Sequence, residues 1–218
     1  MVARPQRFAS EFASVAMRVE NFIMNISGHT QPFAVLGHPI GHTLSPVMHN
    51  ASFAVLGLDA IYLAFDVKPE RLMSVLPAMR SMGFGGVNLT IPHKEVAFRG
   101  LEKLDVSAQL LGAVNTVQFA EDGMIGHNTD GFGFLRALDE AFGRNTKGDA
   151  VFVLGSGGAG RAVALMSAQA GAREVTLADL DHARSELVGA EIRGHFPGVA
   201  VHVVSTAVEQ AAAARKAD

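Results

Sequence analysis

The sequence contains no cysteine, so neither a disulfide bond nor a thiolate-bound metal is available to it. An excess of charge of one sign is also missing, because 18 basic and 21 acidic residues give a formal net charge of -3. This near balance gives no electrostatic reason to expect a nucleic acid or an anionic membrane as a partner. Among the remaining function classes, chemistry on a small molecule is favoured.

The sequence also lacks long apolar runs. No stretch reaches the length of a signal-peptide core or a membrane span, so we expect a cytoplasmic protein that does not bind a membrane. We interpret residues 1–30 as an N-terminal extension. Within it, residues 9–24 predict a loose amphipathic helix, with a mobile tail or an upstream extension before a start near Met24 as alternatives.

From Pro32 onward, short apolar runs bounded by Gly, Pro or Asn alternate with segments of helical spacing. This alternation is typical of strands joined by crossover helices and predicts an α/β protein. The predicted strands are residues 33–36, 61–66, 86–90, 116–120, 124–127, 150–154, 174–178 and 199–204. The predicted helices are residues 45–56, 68–82, 93–98, 107–111, 130–142, 159–170 and 182–196.

Two features of the pattern bear on organisation. Glu121, Asp122 and Gly123 stand between two β-prone runs and predict a hairpin, so part of the first half is antiparallel. Residues 143–149 contain nothing apolar and indicate a domain boundary there or slightly before. The second half then holds three strands, which is half of a six-stranded dinucleotide-binding fold, so we expect an incomplete chain.

A glycine-rich loop directly follows the predicted strand at residues 150–154. Gly155, Gly157 and Gly160 form the pattern G-x-G-x-x-G at the opening of a helix. The first glycine permits a tight turn, the second lets the backbone approach a pyrophosphate, and the third lets helix and strand pack closely. The N–H groups and the positive dipole end at the helix start then face the phosphates.

An acidic residue completes this pattern, because Asp179 closes the next predicted strand. Its carboxylate can accept hydrogen bonds from both ribose hydroxyls, and it would repel a 2′-phosphate. The alternative is a glycine-rich turn that binds nothing. The predicted cofactor-binding residues are Gly155, Ser156, Gly157, Gly158, Ala159, Gly160, Asp179 and Asp181.

Two motifs in the first half suggest chemistry. The run Asn-Leu-Thr-Ile-Pro-His-Lys at residues 88–94 ends a strand, and Pro92 suits the first turn of a helix, so Lys94 lies near a helix start. Residues 128–131 also end a strand, and Asp130 is expected to cap the helix that follows. Taken singly, the lysine could be a solvated surface charge and the aspartate only a cap.

Together these motifs resemble the shikimate and quinate dehydrogenase family in order and spacing. The resemblance covers residues 32–205 and rests on five motifs in sequence order. They are residues 37–46 (Gly-His-Pro-Ile-Gly-His-Thr-Leu-Ser-Pro), 88–94, 112–116 (Gly-Ala-Val-Asn-Thr), 128–131 (Asn-Thr-Asp-Gly) and the glycine loop. The resemblance implies a two-domain α/β protein, with a substrate-binding domain at residues 31–130 and a partial Rossmann domain for NAD or NADP at residues 131–218.

The resemblance also implies roles for individual residues. Lys94 and Asp130 would be the catalytic pair, with Lys94 as general acid to the ketone oxygen and Asp130 orienting it. The hydroxyls of Thr43 and Ser45 would bind the substrate carboxylate. The residues implied to hold ring hydroxyls are Asn88, Thr90 and Asn115.

The implied reaction is reversible hydride transfer between NAD(P)H and 3-dehydroshikimate or 3-dehydroquinate, in aromatic amino acid (chorismate) or quinate metabolism. The implied partner is therefore a hydroxycyclohexene or cyclohexane carboxylate, bound by a monomer or homodimer. A different hydroxy-acid or amino-shikimate substrate stays open. So does a different class of function, a nicotinamide-binding sensor or fragment without turnover.

Three departures from the family pattern matter. Thr43 stands where serine is usual, which keeps the hydroxyl and adds a methyl group. Leu180 stands where NADP-using members commonly carry arginine, so NAD is expected to be preferred over NADP. The family's later Rossmann strands and final helix have no counterpart before Asp218, so we expect a truncated form with low activity.

Histidines raise the question of a metal site. His38 and His42 could share a face if their segment were helical, but they flank Pro39 and Gly41 in a loop. Asp, Glu and Cys do not stand near them at ligand spacing, and the same holds for His49 and His93. We therefore expect no metal.

Overall fold

A computed structural model describes residues 26–218. The predicted amphipathic helix at residues 9–24 and the alternative start at Met24 lie outside the described residues. The chain divides into two compact units. Unit 1 contains the described residues up to Lys103 together with Thr116–Ile125, and unit 2 contains Leu104–Asn115 and Gly126–Asp218.

Strands and helices alternate along the described chain. The strands are β1 (Gln31–Gly37), β2 (Ala60–Asp66), β3 (Gly86–Leu89), β4 (Lys103–Leu104), β5 (Thr116–Ala120), β6 (Gly123–His127), β7 (Ala150–Leu154), β8 (Glu174–Ala178) and β9 (Ala200–Val203). The helices are α1 (Ser45–Leu56), α2 (Leu72–Ser81), α3 (His93–Gly100), α4 (Val106–Leu111), α5 (Asp130–Phe142), α6 (Gly158–Gln169), α7 (His182–His195) and α8 (Ala207–Lys216). Among the described residues, no helix has both the length and the apolar character that crossing a membrane requires.

Two differences from the expected pattern have local causes. The helix expected over residues 68–82 starts as a 3₁₀ turn, Pro69–Arg71, and becomes α-helical only at Leu72. Lys68 is extended, as is usual for a residue before proline, so the α-helix starts late. The strand β4 was not predicted, because two residues are too few to show a period.

A six-stranded sheet has the order β2-β1-β3-β5-β6-β4. Strand β1 pairs parallel with both β2 and β3, whereas β3 pairs antiparallel with β5. The sheet is therefore mixed, with parallel and antiparallel pairs. The predicted hairpin is part of it, since only Glu121 and Asp122 separate β5 from β6. Because β1, β2 and β3 run in one direction, their carboxyl ends at Gly37, Asp66 and Leu89 meet at one edge of the sheet.

Unit 2 contains a parallel three-stranded sheet of order β7-β8-β9. Its core consists mainly of side chains from β8, α6 and α7, to which Val153 of β7 and Leu111 of α4 are added. Leu165, Val175, Leu177 and Ile192 are fully buried. Each strand is followed by a helix, so the carboxyl ends of β7 and β8 precede the starts of α6 and α7. This arrangement places the glycine loop and Asp179 at the same edge of the sheet.

The edge strand β2 is held by a side chain of α1. The Asn50 amide donates to the Tyr62 carbonyl at 3.0 Å, and the Tyr62 N–H donates to Asn50 Oδ1 at 2.8 Å. The side-chain amide thus makes the two hydrogen bonds that a neighbouring strand would make with Tyr62. Helix α1 buries none of its residues deeply, so this pair of bonds is its most specific link to the sheet.

We expect Asn50→Ala to lower the stability of unit 1 by about 1–3 kcal/mol, because it leaves two backbone groups of Tyr62 without partners. Ser52→Ala, in the same helix, removes only an exposed bond to the Met48 carbonyl and should change stability by less than about 0.5 kcal/mol. Urea unfolding followed by tyrosine fluorescence measures this, since Tyr62 is the one tyrosine in a chain without tryptophan. Equal unfolding midpoints for the two variants would contradict the expectation.

Candidate functional site

Three loops meet at the carboxyl edge of β1, β2 and β3. Backbone bonds join them, from the His38 N–H to the Ile91 carbonyl at 3.2 Å and from the Val67 N–H to the Gly37 carbonyl at 3.1 Å. Gly37 is required by this close approach, because a Cβ there would lie 2.6 Å from Cγ2 of Thr90. The segment carrying Thr90 is therefore held directly against the end of β1.

Thr43 and Ser45 present their hydroxyls at the start of α1. The Thr43 hydroxyl donates to Ser45 Oγ at 3.1 Å, and the Ser45 N–H donates to Thr43 Oγ1 at 3.2 Å. Ser45 is the first residue of the helix, which begins with no side-chain cap. Two hydroxyls beside the N–H groups of a helix start form a suitable environment for a carboxylate.

The loop before these hydroxyls is organised by Asp66. Its carboxylate lies 2.5 Å from His38 Nδ1 and accepts a longer bond, 3.4 Å, from the Ile40 N–H. The hydrogen bond with His38 is the main cause of the lowered pKa of Asp66. Asp66 had no predicted role, because the sequence shows it only as the last residue of a strand.

Asn88 lies within a hydrogen-bonded chain of side chains. The Tyr62 hydroxyl donates to Asn88 Oδ1 at 2.6 Å, and Asn88 Nδ2 donates to Thr116 Oγ1 at 3.0 Å. Tyr62 is buried, which raises its pKa above the ordinary value, and the His49 ring stacks on it with centroids 4.1 Å apart. Neither Tyr62 nor Thr116 was predicted as a site residue.

Lys94 is the second residue of α3, which begins at His93. Pro92 is the residue before the helix rather than part of its first turn. His93 is fully buried, and burial lowers its pKa. Within residues 26–218, no group of three or more histidine or carboxylate side chains is arranged to hold a metal ion.

In unit 2, the Asp130 carboxylate is oriented by Asn115. The amide of Asn115 donates to Asp130 Oδ1 at 2.7 Å and to Thr129 Oγ1 at 3.0 Å, while its oxygen accepts from the Thr129 N–H at 3.0 Å. The expectation that Asp130 caps α5 was wrong. Asp130 is the first helical residue, and its N–H donates to Asn128 Oδ1 at 3.0 Å, so its carboxylate does not cap the helix.

The glycine loop of unit 2 has the geometry that its sequence requires. Gly155 has φ +99°, which side chains rarely allow, and Gly157 is the cap residue before Gly158 opens α6, with Ala159 next. A Cβ at Gly160 would lie 1.7 Å from the Gly155 carbonyl oxygen. No other residue fits at position 160 unless the loop moves.

The carboxylate of Asp179 closes this loop. It accepts from the Ser156 N–H at 2.6 Å and from the Asp181 N–H at 2.8 Å, and these two bonds lower the pKa of Asp179. Ser156 is buried, with its hydroxyl 2.9 Å from that of Ser185. Asp181 caps α7, accepting a 3.4 Å bond from the Arg184 N–H.

The predicted residues therefore fall into three groups. Thr43, Ser45, Asn88, Thr90 and Lys94 all follow or end strands at one edge of the sheet, in unit 1. In unit 2, Asn115 contacts Asp130 directly, and the glycine loop contacts Asp179. Because Lys94 belongs to unit 1 and Asp130 to unit 2, their action as a pair stays a prediction.

Comparison with known proteins gives consistent findings. The family model for the shikimate dehydrogenase substrate binding domain matches residues 35–117. The shikimate dehydrogenase (NADP(+)) of Methanothermobacter thermautotrophicus is 42% identical over 167 residues, which are 77% of this chain and 58% of that protein. The chain spans about three fifths of the length of the curated relatives it matches.

Solved structures match in fold. Shikimate 5-dehydrogenase from Listeria monocytogenes, in complex with shikimate and NAD, is 36% identical with a TM-score of 0.78 over 84% of this chain and 64% of that one. Shikimate 5-dehydrogenase from Thermus thermophilus, in complex with NADP(H) and shikimate, is 39% identical with a TM-score of 0.70 over 81% of this chain and 68% of that one. These likenesses confirm the predicted two-domain α/β fold class.

We expect Gly160→Ala to destabilise the protein by about 1–3 kcal/mol, because the new methyl group overlaps the Gly155 carbonyl and the loop must shift. Gly194→Ala is a matched control in α7, where a Cβ meets nothing within 4 Å. The control should be neutral or stabilising by up to about 1 kcal/mol. Thermal unfolding measures the change in stability of both variants. An unchanged melting temperature for Gly160→Ala would contradict the expectation, because it would show that the loop shifts without loss of stability.

Proposed function

Since the chain belongs to the shikimate dehydrogenase family, we propose that it catalyses reversible hydride transfer between a nicotinamide dinucleotide and the ring ketone of 3-dehydroshikimate. The observation that carries the proposal is the carboxylate of Asp130, held at 2.7 Å by Asn115 in a chain that also contains a glycine loop. Quinate is proposed as a second substrate of the same site.

The dinucleotide would be held by the glycine loop in unit 2. A Cβ at Gly157 or Gly158 would meet nothing within 4 Å, so the space over the helix start is open, and N–H groups there suit phosphate oxygens. Asp179 already accepts two backbone bonds, but a carboxylate has about four acceptor sites, which leaves capacity for ribose hydroxyls. These residues fit the group, which supplies or accepts the hydride when bound.

The substrate would be held by polar side chains within residues 31–130. Thr43 and Ser45, with their adjacent hydroxyls at a helix start, would bind the carboxylate. Asn88, Thr90 and Asn115 would bind ring hydroxyls. The domain roles follow, with residues 31–130 binding the substrate and residues 131–218 the dinucleotide.

Lys94 would be the general acid. Its ammonium would donate a proton to the ketone oxygen as negative charge develops there, and in the oxidative direction the neutral amine would take the hydroxyl proton. Asp130 would orient the ammonium, and Asn115 would keep the Asp130 carboxylate in place. Such a proton donor contributes a rate factor of roughly 10² to 10⁴.

We propose that the chain prefers NAD over NADP. The Asp179 carboxylate at the end of β8 would repel a 2′-phosphate, and Leu180 beside it is fully exposed and uncharged. Relatives with either cofactor are known, since the Methanothermobacter protein is a shikimate dehydrogenase (NADP(+)) and the Listeria structure is a complex with NAD.

A second candidate function is binding of the dinucleotide without turnover. It is favoured by the glycine loop and Asp179, because their arrangement for a dinucleotide does not involve Lys94. It predicts nucleotide binding with no oxidation of shikimate.

We expect Lys94→Ala to lower kcat for shikimate oxidation by roughly 10² to 10⁴ with little change in KM for NAD, because only the proton transfer loses its donor. Lys147→Ala, which removes an exposed lysine in the turn before β7 and outside the predicted site, should leave kcat unchanged. Initial rates of NADH formation measure both. Binding of NAD without any turnover in the unsubstituted protein would support the second candidate instead.

We expect Leu180→Arg to lower KM for NADP about tenfold, because a guanidinium beside the ribose can bond the 2′-phosphate, a charge-assisted bond worth about 1.5–3 kcal/mol. Leu187→Arg adds the same charge at an exposed position of α7 and serves as the control. Steady-state kinetics with NAD and with NADP give the KM of each cofactor for both variants and for the unsubstituted protein. A lower KM for NADP than for NAD in the unsubstituted protein would contradict the proposed preference for NAD.

A further inference from the structure

We infer that Tyr62 is a positioning residue that fixes the side-chain amide of Asn88 in the substrate site. The inference rests on the proposed function, in which Asn88 binds a ring hydroxyl. Tyr62 stands on β2 and Asn88 on β3, and β1 lies between these strands. The Tyr62 side chain therefore crosses over β1, a span of about 10 Å between strand axes, to place its hydroxyl 2.6 Å from Asn88 Oδ1.

The phenol determines which end of the amide faces it. With the amide reversed, Asn88 Nδ2 would face the phenol oxygen, and the phenol proton would need another acceptor. Tyr62 is 3% exposed, so a proton left without an acceptor would carry the cost of a buried unsatisfied donor. In the observed arrangement Oδ1 takes that proton, and Nδ2 is directed to Thr116 at 3.0 Å.

Contacts from several sides fix the position of Tyr62, so its hydroxyl cannot move to adapt to a reversed Asn88 amide. Asn50 binds its backbone N–H and carbonyl, and the His49 ring stacks on its ring at a centroid distance of 4.1 Å. Val35 and Ile40 pack with it in a buried cluster. Burial also raises its pKa, so the phenol keeps its proton and stays a donor near neutral pH.

A consequence for substrate choice follows. Because the phenol and Thr116 fix which end of the amide lies where, Asn88 presents its oxygen and its N–H groups to a substrate in one orientation only. Under the proposed function, the site therefore favours a substrate whose ring oxygen meets the amide in that orientation. A ring lacking that oxygen gains nothing from the correct orientation of the amide.

The test compares Tyr62→Phe, which keeps the ring and its stacking on His49, with the unsubstituted full chain. The first readout is the side-chain amide signal of Asn88 in NMR spectra of nitrogen-labelled protein, identified by its loss in Asn88→Ala. Thr146→Val is the matched control, since it removes a buried hydroxyl that donates to the Ser167 carbonyl in unit 2. We expect the Asn88 signal to move in Tyr62→Phe and to stay in place in the control. An unmoved signal in Tyr62→Phe overturns the inference, and this readout requires no turnover.

The second readout is steady-state kinetics with shikimate. We expect Tyr62→Phe to raise KM about three- to tenfold, the effect of one hydrogen bond, while kcat changes less than about twofold. Adding Tyr62→Phe to Asn88→Ala should change KM no further, because no amide remains to be oriented. An equal rise in KM in the Asn88→Ala background overturns the inference. Absence of shikimate turnover in the unsubstituted chain counts against the proposed function instead, and the NMR comparison still decides the role of Tyr62.

Discussion

The parallel pairing of β1 with β2 and β3 is the constraint on which the site in unit 1 depends. Parallel strands end at the same edge, so the loops after Gly37, Asp66 and Leu89 must meet there. Residues far apart in sequence are thereby brought together, and hydroxyls, amides and a lysine collect where each loop turns away from the sheet. Gly37 permits the closest approach, because a side chain at that position would displace Thr90.

Unit 2 obeys the same rule with a different result. The carboxyl ends of β7 and β8 bring the glycine loop beside Asp179, and the missing Cβ of Gly160 lets α6 start directly against that loop. The Asp179 carboxylate then holds the Ser156 and Asp181 N–H groups, so the loop is ordered by a residue 23 positions further along the chain. An acidic residue at this place thus has a structural role in addition to any role with ribose.

Most of the fold could be predicted from the sequence, because the longer strands and helices show the period of their apolar residues and are bounded by glycine, proline or asparagine, whereas the two-residue β4 shows no period. The glycine loop is equally local, and the tight turn at Gly155 and the close packing at Gly160 are as predicted, whereas the approach of a pyrophosphate to Gly157 stays a prediction. The role of Asp130 as a cap was wrong, because the helix starts one residue earlier than a cap would require. The pairs His38 with Asp66 and Tyr62 with Asn88 could not be predicted, since residues 28 and 26 positions apart meet only after strands pair.

These unpredicted pairs share a function in the structure that the motifs alone do not provide. A motif supplies a side chain of the right chemistry, but an asparagine amide or a loop hydroxyl can point in several directions with similar energy. Asp66 removes that freedom from the loop that leads to Thr43, and Tyr62 removes it from the Asn88 amide. In each case the directing group is a buried or hydrogen-bonded neighbour on another strand or loop. If the proposed function holds, specificity for a substrate depends in part on residues outside the motifs, such as Tyr62 and Asp66.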